Sequence, residues 1–213
     1  MKRAVIFVNG QVNDLEFVRS LILPGDILLA ADGGTRHALE LNLMPSKIIG
    51  DLDSLPEPDL KLAKASGCEV FQHPRDKDES DFELALRLAI DSGFRELLVI
   101  GALGGRLDQT LANLALLTNP ALAELEIKMD DGVEEAWFVR NRCDLCGKIG
   151  DTVSLIPWRG NVSGITTSGL RWPLKNETLF ADRTRGISNE LSTDKGNIQI
   201  KNGLLLVVHR RNP

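Results

Sequence analysis

Six short apolar runs, separated by amphipathic stretches, occupy about the first 125 residues, and this alternation restricts the fold more than any other feature of the chain. The runs at 3–8, 27–31, 47–50, 69–72, 96–101 and 125–129 have the length of strands and not of helices. The stretches between them carry helix punctuation. Ser54-Leu55-Pro56-Glu57 and Ser80-Asp81-Phe82-Glu83 match a capping box, with Glu three residues after Ser. Gly67 and Gly93 stand where a left-handed helix C-cap belongs. Strands alternating with helices predict βα units on a parallel sheet, with helices on both faces.

From about residue 133 helical spacing disappears. Short runs rich in Val, Ile, Thr and Trp alternate with Gly, Asn and Pro, and the segments 134–140, 152–157, 161–167, 177–181, 187–190, 196–201 and 204–209 read as strands. Asn202-Gly203 between the last two is a hairpin signal. The expectation is an α/β domain over 1–130 and an antiparallel β-sandwich or barrel over 131–213, with the boundary near Asp130-Asp131-Gly132.

The net charge of −5 and the lack of a Lys/Arg stripe argue against nucleic acid as a partner. No apolar run approaches the ~20 residues of a membrane helix. Lys2-Arg3 before Ala4–Val8 resembles a signal-peptide start, but the run is too short and breaks at Asn9-Gly10, so it reads as the first strand. Three cysteines, an odd number, fit a reducing cytoplasm rather than a disulfide framework. Cys143 and Cys146 form a C-x-x-C that reads as two ordinary thiols in a β-turn, since no second ligand pair follows.

Chemistry collects at the ends of the strands, where open α/β sheets bind ligands. Strand two ends in Asp32-Gly33-Gly34 and strand three in Gly50-Asp51-Leu52-Asp53-Ser54. Strand four leads to Arg75-Asp76-Lys77-Asp78-Glu79-Ser80-Asp81, and strand five to Gly104-Gly105-Arg106-Leu107-Asp108-Gln109. Asp51 and Asp53, two residues apart at a strand end, are expected on one side of the backbone. About 4 Å apart they would repel by about 4 kcal/mol at an effective dielectric near 20. A proton or a cation must resolve that, and oxygen ligands beside a phosphate suit Mg²⁺. Each piece also has a structural reading: a solvated turn, an acid in a helix first turn, a tight glycine turn. The spacing is neither G-x-G-x-x-G nor G-x-x-x-x-G-K-[ST], so dinucleotide-binding and Walker A readings fail. Carboxylates, glycine loops and basic residues together are the parts of a phosphoryl-transfer site.

These four motifs, in this order, resemble those of the thiamine pyrophosphokinase family. Val153 to Pro157, Thr167 to Leu174 and Gly186 to Glu190 resemble its thiamine-recognition domain, so the likeness spans nearly the whole chain. Two points depart from the pattern: Ser80 stands where Thr is common, and Cys143 and Cys146 belong to no family motif. The resemblance implies a Rossmann-like catalytic domain, a C-terminal β-sandwich, a homodimer, and transfer of pyrophosphate from ATP to thiamine with Mg²⁺. It implies Asp51, Asp53 and Asp81 as metal ligands, with Asp32 and Asp78 nearby, Arg106 as a charge stabiliser and Asp78 as a proton acceptor. Asp32, Gly33, Gly34, Lys77, Ser80, Gly104, Gly105, Arg106, Asp108 and Gln109 would meet ATP. Trp172, Ser188 and Asn189 would hold thiamine at the subunit interface. A pyrophosphokinase for another hydroxymethyl heterocycle, pterin-like, and a non-catalytic nucleotide or thiamine diphosphate sensor are the rival readings.

Overall fold

Strands without a polar face form where a sheet is buried on both sides, as parallel sheets are. In the computed structural model, which describes residues 3–212, the chain separates into two units, one ending at Gly132 and the other starting at Val133. The first unit holds β1 (Arg3–Phe7), β2 (Ile27–Ala31), β3 (Lys47–Gly50), β4 (Glu69–Gln72), β5 (Glu96–Ile100) and β6 (Glu126–Asp130), all parallel, in the order 4-3-2-1-5-6. Its helices are α1 (Leu15–Leu21), α2 (Thr35–Glu40), α3 (Glu57–Ala65), α4 (Asp81–Asp91) and α5 (Leu107–Leu116).

Alternate residues of each strand feed opposite faces. Val5, Phe7, Ala30, Ile48 and Ile100 pack with Val18 of α1, Ala38 of α2 and Ala63 of α3. Ile6, Leu29 and Ile49 point the other way, where α4 lies against β1, β2 and β3. Each such fully buried side chain contributes roughly 1.5–3 kcal/mol. Ser80 caps α4 by accepting from the Glu83 N–H, and Gly67 and Gly93 follow α3 and α4 with positive φ. The capping box expected at Ser54 does not form. α3 begins at Glu57 behind Pro56, and the Ser54 hydroxyl donates to Asp53 Oδ1 at 3.1 Å.

The second unit is entirely antiparallel: β7 (Glu134–Val139), β8 (Arg142–Cys146), β9 (Thr152–Ser168), β10 (Glu177–Leu179), β11 (Asn189–Glu190), β12 (Lys195–Gln199) and β13 (Asn202–Arg210). β9 serves two sheets. Its first half pairs with β13 and β11, and its end pairs with β12 and β10. The register breaks at Arg159 and Gly160, both at positive φ, where a bulge bends the strand between the layers. Trp137, Leu155, Ile165, Ile198 and Leu205 form the core between them.

Two expectations fail here. Asn202-Gly203 makes no hairpin: β12 pairs with β8 and β9, while β13 pairs with β7 and β9, so the link crosses between sheets. The C-x-x-C lies on β8 and not in a turn. Residues three apart on a strand face opposite ways. Cys143 packs toward the core and Cys146 faces outward, a poor geometry for a shared metal or a redox pair.

Candidate active site

Successive connections run outward from β1 to β4, and then the chain returns to the other side of β1 to form β5 and β6. Such a reversal opens a crevice at the carboxyl ends of the strands. Segments leaving β1 through β5 line a cleft of about 640 Å³, among them Asn9, Asp32, Asp53, Lys77, Asp81 and Gly104.

Asp51 and Asp53 converge by a different route from the one expected. β3 stops at Gly50, and Leu52 takes a left-handed φ of +67° with its side chain anchored on the apolar cluster of this unit. The Asp53 N–H donates to Asp51 Oδ1 at 3.1 Å. A tight turn therefore aligns the two carboxylates, not the pleat of a strand. Asp32 joins them from the end of β2, with a positive φ of +44° of its own. One oxygen from each of the three lies within 4.8 Å of the others. Strained backbone of this kind collects at functional sites.

Asp32 is only 5% exposed, and its Oδ1 has no hydrogen-bond partner among the described residues. Burial pushes its carboxyl pKa up, with the charges of Asp81 and Asp51 adding to the effect, against the opposing influence of the neighbouring Ser54 hydroxyl and Gly33 N–H. Three hard oxygen donors, one buried without a partner, fit a divalent cation such as Mg²⁺. Gly50 makes the approach possible: a Cβ there would stand 2.9 Å from the Asp32 Cβ and 3.1 Å from the Asp81 carboxyl carbon.

Asp81, expected as a third ligand, sits beside Asp32 but is answered by Lys77, whose Nζ lies 2.9 Å from its Oδ1 in a direction that makes no hydrogen bond. Asp78, Ser80 and Gln109 line the cleft as well. Other expected residues do not. Gly33 and Gly34 turn the chain from β2 into α2 against the end of β1; a Cβ on either would collide with the Asn9 side chain or the Phe7 carbonyl. Gly105 is exposed outside the cleft. Arg106 and Asp108 pair with each other at 2.5 Å at the start of α5, fully exposed, and the contact lowers the Asp108 pKa while raising that of Arg106.

Sequence reasoning passed over Asn9, Arg75 and Asn113. Asn9 lies two residues beyond the end of β1 and accepts from Arg36 Nη2 at 2.8 Å. It obeys the same strand-end rule as the acidic motifs, although in the sequence Asn9-Gly10 marks no more than the end of an apolar run. Asn113 lies one helical turn beyond Gln109 and donates to the Ala102 carbonyl at 3.0 Å.

In the second unit, Trp172, Ser188 and Asn189 come together. Asn189 accepts from the Trp172 N–H at 3.1 Å and donates to the Trp172 carbonyl at 2.8 Å. Ser188, at φ +58°, donates its N–H to Ser154 Oγ. The indole is 53% exposed and so is no core residue; the Arg171 guanidinium stands 4.8 Å over its ring. An exposed aromatic held by its own backbone is equipped to stack on a flat ligand.

Two sequence profiles match the chain. Residues 18–129 match "Thiamin pyrophosphokinase, catalytic domain", and residues 141–205 match "Thiamin pyrophosphokinase, vitamin B1 binding domain". Thiamine pyrophosphokinase of Bacillus subtilis is 25% identical over 210 residues, 98% of each chain. The crystal structure of thiamin pyrophosphokinase from Geobacillus thermodenitrificans is 26% identical, covers 100% of this chain and 98% of its own, and superposes with a TM-score of 0.83. That of thiamin pyrophosphokinase from Candida albicans, 15% identical over 99% of this chain and 90% of its own, shares the fold at a TM-score of 0.79.

Proposed function

The chain belongs to the thiamin pyrophosphokinase family, and we propose that it transfers the pyrophosphoryl group of ATP to the hydroxyl of thiamine, giving thiamine diphosphate and AMP. The observation that carries the reading is the cluster of Asp32, Asp51 and Asp53, with a buried, unpartnered Oδ1 on Asp32, at a cleft that Asp32 and Asp53 line. Asp32, Asp51 and Asp53 would hold Mg²⁺, with Asp81 available at the flank. Bound there, Mg²⁺ would supply positive charge for the oxygens of the transferred group.

The protein's own part is positioning and electrostatics. Lys77 brings an ammonium into a cleft whose charged lining is mostly acidic. Gly104, Gln109 and Asn113 border the space for the nucleotide at the start of α5. Arg106 would reach the phosphates by leaving Asp108, a change that costs little for an exposed pair. Asp78, in the cleft wall, is the carboxylate assigned to take the thiamine hydroxyl proton as that oxygen attacks the β-phosphorus and AMP leaves. Trp172, Ser188 and Asn189 would bind thiamine, whose cationic ring an indole face attracts by roughly 0.5–2 kcal/mol. In the reading that follows from family resemblance, they act on the cleft of a partner subunit in a homodimer, in the cytoplasm. No helix among the described residues is long and apolar enough to cross a membrane.

Incubation with ATP, Mg²⁺ and thiamine tests the proposal. AMP and thiamine diphosphate are expected in equal amounts. ADP would indicate a simple kinase, neither product would indicate a sensor, and faster turnover of a hydroxymethylpterin would move the substrate assignment.

A further inference from the structure

We infer that Arg75 is a transferable counter-ion: it rests on Asp53 and moves to the pyrophosphoryl oxygens when a cation and ATP bind. This builds on the reaction proposed above. The cleft is lined by Asp32, Asp53, Asp78, Glu79, Asp81 and Glu83, against two basic side chains, Arg75 and Lys77. A polyanion entering so acidic a space needs cations that are free to meet it. The two basic residues differ in that respect. Lys77 is 12% exposed and fixed beside Asp81 at 2.9 Å, so its charge is already committed. Arg75 is 84% exposed, and its one ion pair among the described residues is a 3.4 Å contact from Nε to Asp53 Oδ2.

Exposed pairs of that length are weak and easily exchanged. A divalent cation on Asp53 would compete directly with the guanidinium for the same carboxylate, so loading the cation displaces Arg75. The displaced side chain remains rooted in the irregular segment between β4 and α4, on the rim of the cleft. Its planar fork is suited to two phosphate oxygens at once, which an ammonium is not. Cation binding and phosphate binding therefore favour each other through a single side chain. Arg75 becomes a residue that touches the transferred group, and its hold on Asp53 sets the threshold for cation entry.

The test uses the full chain with Arg75→Ala and Arg75→Lys, both expected to melt with the wild type because the side chain is exposed. Calorimetric titration with Mn²⁺ in the absence of nucleotide should show Arg75→Ala binding the cation roughly two- to fivefold more tightly, the scale of an exposed ion pair. With Mn²⁺ saturating, the same variant should bind ATP about tenfold more weakly and lose on the order of tenfold in kcat. Arg75→Lys should recover part of the ATP affinity but little of kcat. Unchanged or weaker Mn²⁺ binding by Arg75→Ala would overturn the competition at Asp53. Tighter Mn²⁺ with wild-type ATP binding would overturn the transfer. If the wild type forms no AMP, the proposed reaction fails, while the two binding titrations still decide the role of Arg75.

Discussion

A Cβ on Gly50 would stand 2.9 Å from the Cβ of Asp32: the aspartate that ends β2 fills the space a side chain at the end of β3 would need. Gly50 also has a φ of +151°, which disfavours any other residue. Gly50→Ala should therefore destabilise the fold by about 1–3 kcal/mol. It should also push Asp32 away from Asp51 and Asp53 and lower turnover more than tenfold. Thermal melts paired with AMP formation check this; an alanine variant with wild-type values for both would show that Asp32 has room to move.

What the sequence made legible follows from where its signals are local. The six parallel strands stood out because strands such as Ile27–Ala31 and Glu96–Ile100 are almost wholly apolar, and Ser80 announced α4 because its cap bonds to a residue three positions away. β8 was invisible because Arg142–Cys146 has one large apolar side chain, Leu145, and reads as polar. Asn202-Gly203 misled because local turn chemistry says nothing about which strands lie beside it, and here β9 does. At the site, residue types were readable and directions were not. The sequence placed Asp32 near the pair Asp51 and Asp53, but only the left-handed turns at Asp32 and Leu52 close the cluster. It could not show that Gly33 and Gly34 pack on β1, or that Arg106 turns to Asp108.

Asp32→Asn separates the cost of the acidic cluster from its use. At the spacing observed, two carboxylates repel by roughly 3 kcal/mol at an effective dielectric of 20, and Asp32 also bears the penalty of burial. The amide should raise the stability of the metal-free protein by about 1 kcal/mol. It should also remove most of the stabilisation that excess Mg²⁺ gives the wild type through binding to the folded state. Melting curves with and without Mg²⁺ measure both. Equal Mg²⁺ stabilisation of the two proteins would take Asp32 out of the ligand set.

In the second unit, His209 is buried between two carboxylates, Nδ1 at 2.9 Å from Glu135 Oε1 and Nε2 at 3.0 Å from Asp151 Oδ2, with Arg211 3.8 Å from the other Glu135 oxygen. Burial works to lower the His209 pKa, but the bonds to Glu135 and Asp151 outweigh it and raise the value above its usual 6.5. Burial likewise works to raise the Asp151 pKa, and N–H groups of Asn212 and Lys148 together with His209 bring it below 3.8. The imidazolium thus stabilises the fold fully below pH 6.5, and that contribution is lost as pH rises through the folded-state pKa. The Asp151 contribution runs the other way, present above pH 3.8 and lost as pH falls through its folded value. His209→Gln should cost roughly 3–5 kcal/mol at pH 6, with the gap to wild type narrowing as pH climbs. Denaturant unfolding of both proteins across pH tests it: a gap that stays constant would mean that folding does not shift the His209 pKa, and one that widens as pH climbs would mean that His209 is held neutral in the folded protein.

Trp172 offers the sharpest separation of binding from folding. Its indole is half exposed and tied to the fold by main-chain bonds to Asn189, which survive truncation of the ring. Trp172→Ala should leave the melting temperature within a few degrees of wild type, as for other surface changes. Loss of the stacking face should raise the KM for thiamine about five- to thirtyfold, in line with roughly 1–2 kcal/mol for a cation over an aromatic ring. Neither the KM for ATP nor the Mg²⁺ dependence should move, because the acidic cluster belongs to the other unit. Trp172→Phe keeps a flat face and should recover most of the affinity. Steady-state kinetics with each substrate varied in turn decide the matter: an unchanged thiamine KM in Trp172→Ala, or an equal rise in both KM values, would remove Trp172 from the thiamine site.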